Sequence, residues 1–149
     1  MLRDYISNMA VLAQINATLA ADNTPAAIDM RGYDSVSVLI GVGIGGITFD
    51  ASNKVEVKLT DSDDDSTYAA VDAADVVLGK NADASVGTGG IVRSLIAAHA
   101  AATTAKVGYI GGKRYLKVLA DFTGTHATGT PICVTVVGTR GQRAPGAAG

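Results

Sequence analysis

The sequence has few of the residues on which disulfides, metal sites and ligand pockets are usually built. It contains one cysteine, Cys133, which excludes an internal disulfide and a cysteine-rich metal site. We expect Cys133 to be a small apolar filler in a strand rather than a nucleophile. Tryptophan is absent and aromatic residues make up only 5% of the 149 residues. This composition argues against a deep pocket, because pockets are usually lined by aromatic and large apolar side chains.

Charge and hydropathy exclude further classes of partner. The net charge of -2 and the pI near 5.5 give no general attraction to nucleic acid or to an anionic membrane. No apolar run approaches the roughly 18 residues that a membrane span needs. The N-terminal stretch MLRDYISNMAVLAQ lacks the apolar core of a signal peptide. We therefore expect a soluble protein that is made in the cytoplasm and binds neither nucleic acid nor membrane.

What the sequence does contain is a series of short alternating segments separated by turn residues. Lys106–Val118 (KVGYIGGKRYLKV) has a Gly-Gly turn signal followed by the period of two that is typical of a half-buried strand. Pro131–Val137 (PICVTVV) is rich in β-branched residues and follows closely enough to pair with it. Alternation also predicts strands over Met9–Leu19, Ser35–Val42 and Asn53–Thr60. The predicted fold class is all-β, mainly antiparallel, as a β-sandwich or a jelly roll.

One segment and the ends of the chain leave alternatives open. In Ile91–Ala102 (IVRSLIAAHAAA) the alanines favour helix, whereas the first half alternates as a strand would, so one short helix around 91–102 stays open. Residues 1–30 are interpreted as an N-terminal arm or first strand, and 31–138 as the β-sandwich domain. Residues 139–149 are predicted to be a flexible C-terminal tail.

The stretch Gly41–Gly46 (GVGIGG) matches the glycine pattern of dinucleotide-binding sites. Such a site needs a helix after the last glycine, whose N-terminus holds the pyrophosphate. Here the continuation predicts another strand, so we expect a glycine-rich hairpin or loop and no cofactor.

The acidic stretch after the predicted strand Asn53–Thr60 resembles a calcium-binding loop in the spacing of its aspartates. Asp61, Asp63 and Asp65 fall at the first, third and fifth positions of such a loop. However, Ser66 replaces the glycine needed for the sharp bend, and Asp72 replaces the bidentate glutamate. A solvated acidic turn is the simpler interpretation. A weak calcium site and a contact with a basic patch on a neighbouring subunit are the alternatives.

The remaining polar residues do not form a catalytic pattern. Neither His99 nor His126 has a partner at the spacing of a metal site or a triad. The basic spots are too few and too poor in aromatics for nucleic-acid readout, so contact with an acidic protein surface is the better interpretation. The candidates for such a partner interface are Tyr109, Lys113, Arg114, Tyr115, Arg140 and Arg143.

Three features together resemble a group of small virion proteins of tailed bacteriophages, which are commonly encoded beside the major capsid protein. They are the acidic turn SDDDSTY with Tyr68 and Val71, the segment Gly108–Val118, and a terminal strand that ends in Gly138-Thr139-Arg140 and Pro145. The resemblance covers most of the chain from about residue 33 onward and brings no active-site residues with it.

The resemblance implies a non-enzymatic structural role. The expected function is that of a capsid decoration, or cement, protein, which binds and stabilises the shell of major capsid protein on the surface of the virion. It is expected to act as a symmetric oligomer, with a trimer favoured. Independently of the resemblance, the low count of large core residues predicts a monomer that gains much of its stability on assembly. The N-terminal segment and the C-terminal tail are candidates for gripping the capsid or adjacent subunits.

Two other functions are left open by the sequence. One is a tail or head-fibre module that binds host carbohydrate, with calcium dependence through the Asp61–Asp65 loop. The other is a small hydrolytic or binding enzyme, which would need a polar triad that the sequence does not offer. The identity of the partner separates the first of these from a cement protein.

Overall fold

The computed structural model describes residues 6–45, 47–83 and 85–140, which form ten β-strands and two short 3₁₀ turns, Ile6–Asn8 and Ala73–Asp75. No helix in this described part is long and apolar enough to cross a membrane. The strands are β1 (Met9–Leu19), β2 (Ile28–Asp29), β3 (Ser35–Val42), β4 (Lys54–Ser62), β5 (Ala69–Ala70), β6 (Val76–Leu78), β7 (Ile91–Leu95), β8 (Thr103–Tyr109), β9 (Tyr115–Thr123) and β10 (Thr130–Thr139).

The strands form two antiparallel sheets that share one core. Sheet A has the order β1-β10-β3-β8-β6. In sheet B, β9 lies between β2 and β4, and both β5 and β7 pair with the other edge of β4. The inward positions of the two sheets bury mainly β-branched residues, such as Val38, Val57 and Val107, each with 0% exposure. Each such side chain stabilises the fold by about 1.5–3 kcal/mol when it leaves water. The two packed antiparallel sheets confirm the predicted all-β, sandwich-like fold.

The alternation read from the sequence places side chains on the expected faces. In β9, Leu116 and Val118 are buried, whereas Tyr115 and Lys117 lie on the outer side of sheet B. Strands β1 and β3 have the predicted bounds. The third predicted strand is also confirmed, as β4, which runs slightly further than expected.

The predicted pairing of Pro131–Val137 with the segment Lys106–Val118 is wrong. β10 lies between β1 and β3, and β3 separates it from β8. β9 belongs to the other sheet, so Gly111 and Gly112 are part of a crossing between sheets and not of a hairpin, and neither has a positive φ. Each of β8 and β9 has one apolar face, and placing them in opposite sheets buries both faces in the same core.

The helix considered around 91–102 is not formed. Ile91–Leu95 is strand β7, paired with β4, and the residues up to 102 are irregular and mostly exposed. Val92 and Leu95 are buried against the core, at 0% and 5% exposure. This tertiary burial outweighs the helix propensity of the alanines that follow.

At the two ends of the chain, the structure adds one pairing. β1 pairs with β10 along its whole length, with a register shift between Val11 and Ala13, and so forms the edge of sheet A. The division at residues 30 and 138 stays a prediction, and residues 141–149 of the predicted tail lie outside the described residues.

Candidate interaction surfaces

The basic residues next to the Gly-Gly crossing are engaged within the chain. Lys113 forms an ion pair with Asp63. Arg114 binds Asp29 with two N–H groups, at 2.8 Å and 3.2 Å, and its guanidinium carbon lies 4.7 Å from the centre of the Tyr115 ring. The hydrogen bond from Arg114 is the main reason why the pKa of Asp29 falls to about 2. The charges of Lys113 and Arg114 are therefore already matched by carboxylates of the same chain.

Tyr109 was expected at a partner interface, and the structure corrects this. Its side chain is 2% exposed and projects from β8 into the core, where its hydroxyl donates to Oδ2 of Asp61 at 2.7 Å. Asp61 is itself only 6% exposed, at the inward-facing end of β4. Burial and then the bond to Asp61 raise the pKa of Tyr109. The two residues therefore join the sheets and are not available to a partner or to a solvent-exposed ion.

The acidic turn is organised by Asp64, which was not among the candidate residues. Its Oδ1 accepts hydrogen bonds from the backbone N–H groups of Ser66 and Thr67, both at 2.9 Å, and from the Ser62 hydroxyl at 2.8 Å. These bonds hold the pKa of Asp64 well below its usual range. The turn is thus stabilised by a side chain that replaces a backbone acceptor.

The three carboxylates proposed for calcium do not converge. Asp61 accepts from Tyr109 and Asp63 pairs with Lys113, whereas Asp65 accepts from the Tyr68 hydroxyl at 2.5 Å. Burial, and then the bond to Asp65, raise the pKa of Tyr68 to about 12. Within 6–45, 47–83 and 85–140 no group of three His, Cys, Asp or Glu side chains could hold a metal ion. The loop therefore does not support the weak calcium site.

The two histidines, distant in sequence, lie against the same aromatic ring. Phe49 stacks on His99 with a centroid distance of 5.3 Å and lies 6.2 Å from His126. His126 also meets Phe122 edge-on at 4.8 Å. Each imidazole donates to a backbone carbonyl oxygen, and no described side chain hydrogen-bonds to either. Both histidines thus pack against Phe49, and no spacing rule in the sequence could have paired them.

The outer face of sheet B is charged, and its charges are paired. Lys54 binds Glu56 at 2.9 Å, and Lys58 forms an ion pair with Asp121 on the neighbouring strand. Lys117 lies 3.8 Å from the centre of a tyrosine ring, a cation–π contact. These ion-paired side chains are only partly exposed, from 10% for Glu56 to 26% for Lys54, so each charge is matched by a neighbour on the same face.

The outer face of sheet A is different. We use the name sheet A face for the outward positions of its five strands, and Lys106 is the one charged side chain among these described positions. The others are small or neutral, including Gln14, Asn16, Pro131, Thr135, Ser37, Leu39, Gly41 and Thr104. Two shallow depressions lie on it and share Gly41, Thr104 and Cys133. The absence of charge over several strands was visible in the sequence, but sequence reasoning did not use it.

Cys133 lies on this face and is exposed, so the prediction of an apolar filler is wrong. The period of two explains the error. Ile132 and Val134 are 1% exposed and point inward, which places Cys133 on the outer side opposite Gly41 and Asn16.

The remaining candidates lie elsewhere. The Arg140 guanidinium is 5.4 Å from the centre of the Tyr33 ring, and Arg143 lies outside the described residues. Gly41 lies in β3, which ends at Val42, and the next strand along the chain is β4 in the other sheet. The described part of the glycine-rich stretch, residues 41–45, therefore belongs to the end of β3 and the start of a crossing between sheets, and not to a hairpin.

Comparisons with known proteins do not assign the chain to a family. No family model matches the sequence, and no curated protein matches it. Its function has to be argued from its surfaces.

Proposed function

We propose that this chain is a non-enzymatic structural protein of a bacteriophage virion, a capsid decoration protein that binds the major capsid shell as a symmetric oligomer. The observation that carries the proposal is the contrast between the two outer faces of the sandwich. One is densely charged and internally paired, and the other bears a single charged side chain.

A face with so few charged side chains is suited to binding another protein. The cores of protein interfaces are depleted in charged residues, because burying an unpaired charge is costly. Leu39, near the middle of the sheet A face, is 42% exposed, and its neighbours across the strands are Thr135 and Lys106. A flat partner surface would bury these side chains without leaving more than one charge to be matched.

The identity of the partner comes from the resemblance of the acidic turn and of Gly108–Val118 to phage virion proteins. The sheet A face supplies the means of docking, and the charged face of sheet B would then point toward water on the outside of the particle. The sheet A face has no aromatic side chain among its described positions, which makes it a poor platform for the carbohydrate-binding alternative.

The proposal is tested by co-sedimentation of the full chain with expanded, undecorated shells of its own phage. We expect saturable binding at a copy number set by the symmetry of the shell. Leu39→Lys should weaken binding at least about tenfold, because it adds a charge to the interface core. Leu119→Lys is the matched control, since Leu119 lies on the outer face of sheet B.

Equal binding by the Leu39→Lys and Leu119→Lys variants would show that the chain does not dock on the shell through the sheet A face. If the wild-type chain does not bind shells at all, the proposed function is wrong. A glycan screen with and without calcium then tests the tail or fibre alternative.

A further inference from the structure

The edges of the two sheets differ in whether their backbone N–H and C=O groups have partners. At one edge of sheet B, these groups are bonded by a short strand and by side chains. β2 covers only the start of β9. Beyond it, the Asn23 side chain donates to the carbonyl of Val118 at 3.2 Å and accepts from the N–H of Ala120 at 2.7 Å. Asp22 accepts from the N–H of Phe122 at 2.7 Å. Side chains here replace a missing strand, so β9 offers no free edge to another chain.

The far edge of sheet A is closed in a similar way. After the three residues of β6, Gly79 donates to the carbonyl of Lys106 at 3.0 Å, and Lys106 donates to the carbonyl of Lys80 at 3.1 Å. Asn81 then donates to the carbonyl of Thr104 at 2.7 Å. On the other side of sheet B, the edge of β4 is covered by β5 and β7.

β1 is the exception. It has eleven residues, carries no charge and no proline, and pairs only with β10. None of the residues described here hydrogen-bonds to its outer edge. Natural sheets usually protect a long edge with charges, prolines or a covering loop, because unpaired N–H and C=O groups recruit other strands. An edge of this length that no described residue protects is suited to pairing with another strand.

The side chains along β1 also leave the core incompletely covered. Ile15 and Leu19 pack against the core but remain partly exposed. Beside them, a cleft of about 120 Å³ opens between the two sheets, lined by Ala13, Ile15, Ile28, Val118, Val134 and Val136 among others. A strand added to β1 would therefore cover apolar surface as well as backbone groups.

We propose that β1 pairs with β1 of a second copy of this chain, antiparallel about a two-fold axis at Asn16. After the register shift near Val11, residues 13–19 run in regular register with β10. In an Asn16-centred pair, Ile15 meets Ala17 of the second copy and Leu19 meets Ala13. Each large inward side chain thus meets a small one, and Asn16 lies opposite itself on the outer face, where no charge opposes the contact.

Two-fold pairing is the symmetry that these edges allow. Because the other edges in the described part of the chain are short or covered, an edge-to-edge contact joins β1 to itself, and such a contact is isologous. The axis is perpendicular to the sheet, so both sheet A faces point to the same side. This pairing does not depend on the capsid role, although it would double the area of a docking face.

Sedimentation equilibrium of the full chain over a dilution series tests the pairing. We expect a species of twice the 15.0 kDa chain mass that dissociates on dilution. Asn16→Lys and Asn16→Glu should each weaken self-association at least about tenfold, because like charges then face each other across the axis. An equimolar mixture of the two variants should restore dimers that contain one copy of each. Asn16 is exposed, so neither change disturbs the core.

Thr104→Lys is the matched control, since it adds a charge at an exposed position of the sheet A face on β8, away from β1, and should leave the dimer intact. A wild-type chain that stays monomeric at every concentration would overturn the pairing, and so would a trimeric mass. Failure of the mixed variants to associate would overturn the Asn16 register. Shell binding by a chain that stays monomeric would reject the pairing and the oligomeric part of the proposed function, while leaving the decoration role itself intact.

Discussion

The two sheets are joined at one end by a pair of polar side chains, Tyr109 from sheet A and Asp61 from sheet B. A buried carboxylate is costly unless it is hydrogen-bonded, and the Tyr109 hydroxyl supplies a donor at 2.7 Å. From the sequence, Tyr109 was a candidate for a partner interface and Asp61 for calcium binding. In the structure, the hydrogen bond between them joins the two sheets.

Tyr109→Phe should destabilise the fold, because it removes this donor and leaves the Asp61 carboxylate without it. We expect the free energy of unfolding in urea to fall by about 2 kcal/mol. Tyr115→Phe is the control, since Tyr115 is half-exposed and its ring would keep its contact with Arg114. Equal stability of both variants would show that the hydrogen bond adds nothing.

Thr130 presents the opposite situation. It is 0% exposed, and its hydroxyl has no hydrogen-bond partner in the described part of the chain. Thr130→Val should raise the free energy of unfolding by about 1 kcal/mol, because it replaces an unsatisfied hydroxyl with a methyl group. On the same strand, the Thr139 hydroxyl lies 2.6 Å from the Ser35 hydroxyl. Thr139→Val should therefore lower the free energy of unfolding by about 1 kcal/mol, because it removes this hydrogen bond. Changes of the same sign in the two variants would contradict this assignment.

Asp29 makes the fold sensitive to acid. Its pKa falls from 3.8 to about 2 in the folded chain, chiefly through the hydrogen bond from Arg114. A lowered folded-state pKa means that the bond stabilises the fold above about pH 4 and that this stabilisation disappears as the pH falls toward about 2. We therefore expect Asp29→Asn to lower the thermal midpoint at neutral pH more than at pH 2. An effect of Asp29→Asn that is equal at both pH values would reject this explanation.

Among the connections, the loop before β7 imposes the strictest requirement on sequence. Gly89 and Gly90 both have positive φ, +78° and +79°, but only Gly90 is enclosed. A Cβ on Gly90 would lie 2.2 Å from the Leu59 carbonyl oxygen, whereas one on Gly89 would meet nothing within 4 Å.

Gly90→Ala should therefore lower the free energy of unfolding by at least about 3 kcal/mol, because the loop would have to move away from β4. Gly89→Ala should lower it by only about 1 kcal/mol, which is the conformational penalty alone. Chemical denaturation of the two variants provides the comparison, and equal losses would contradict the close approach of Gly90 to β4.

The longer strands β1, β3, β4, β9 and β10 could be predicted from the sequence because each packs one face against the core. Val36, Val38 and Ile40 alternate with neutral outward residues, and this is enough to define β3. The pairing of strands was not predictable in the same way. The crossing at Gly111 joins two sheets, and a Gly-Gly pair is equally compatible with a hairpin. The strand β7 was ambiguous because its buried side chains are followed by alanines.

For the candidate surfaces, the sequence predicted the residues of the charged loop but not their internal partners. Arg114 and Asp29 are 85 positions apart, and only the β2–β9 pairing brings them together. The outward position of Cys133 was not predicted, although the period of two places it on the opposite side of β10 from Ile132 and Val134. The sheet A face could not be predicted without knowing the strand order, because it joins segments from both ends of the chain.

At the scale of the whole molecule, the sandwich has one outer face with several ion-paired charges and one that carries very little charge, and the second is the face that we propose for a partner. The single cysteine lies on the neutral face and is exposed, so its thiol reports directly whether that face is covered.

The most direct test is the rate of maleimide labelling of Cys133 in the presence and absence of expanded phage shells. We expect fast labelling of the free chain and strong protection on the shell. A Cys133→Ser chain that carries Thr123→Cys, on the outer face of sheet B, should label at the same rate in both conditions. Labelling of Cys133 that shells do not slow, under conditions where the chain co-sediments with them, would contradict docking through the sheet A face.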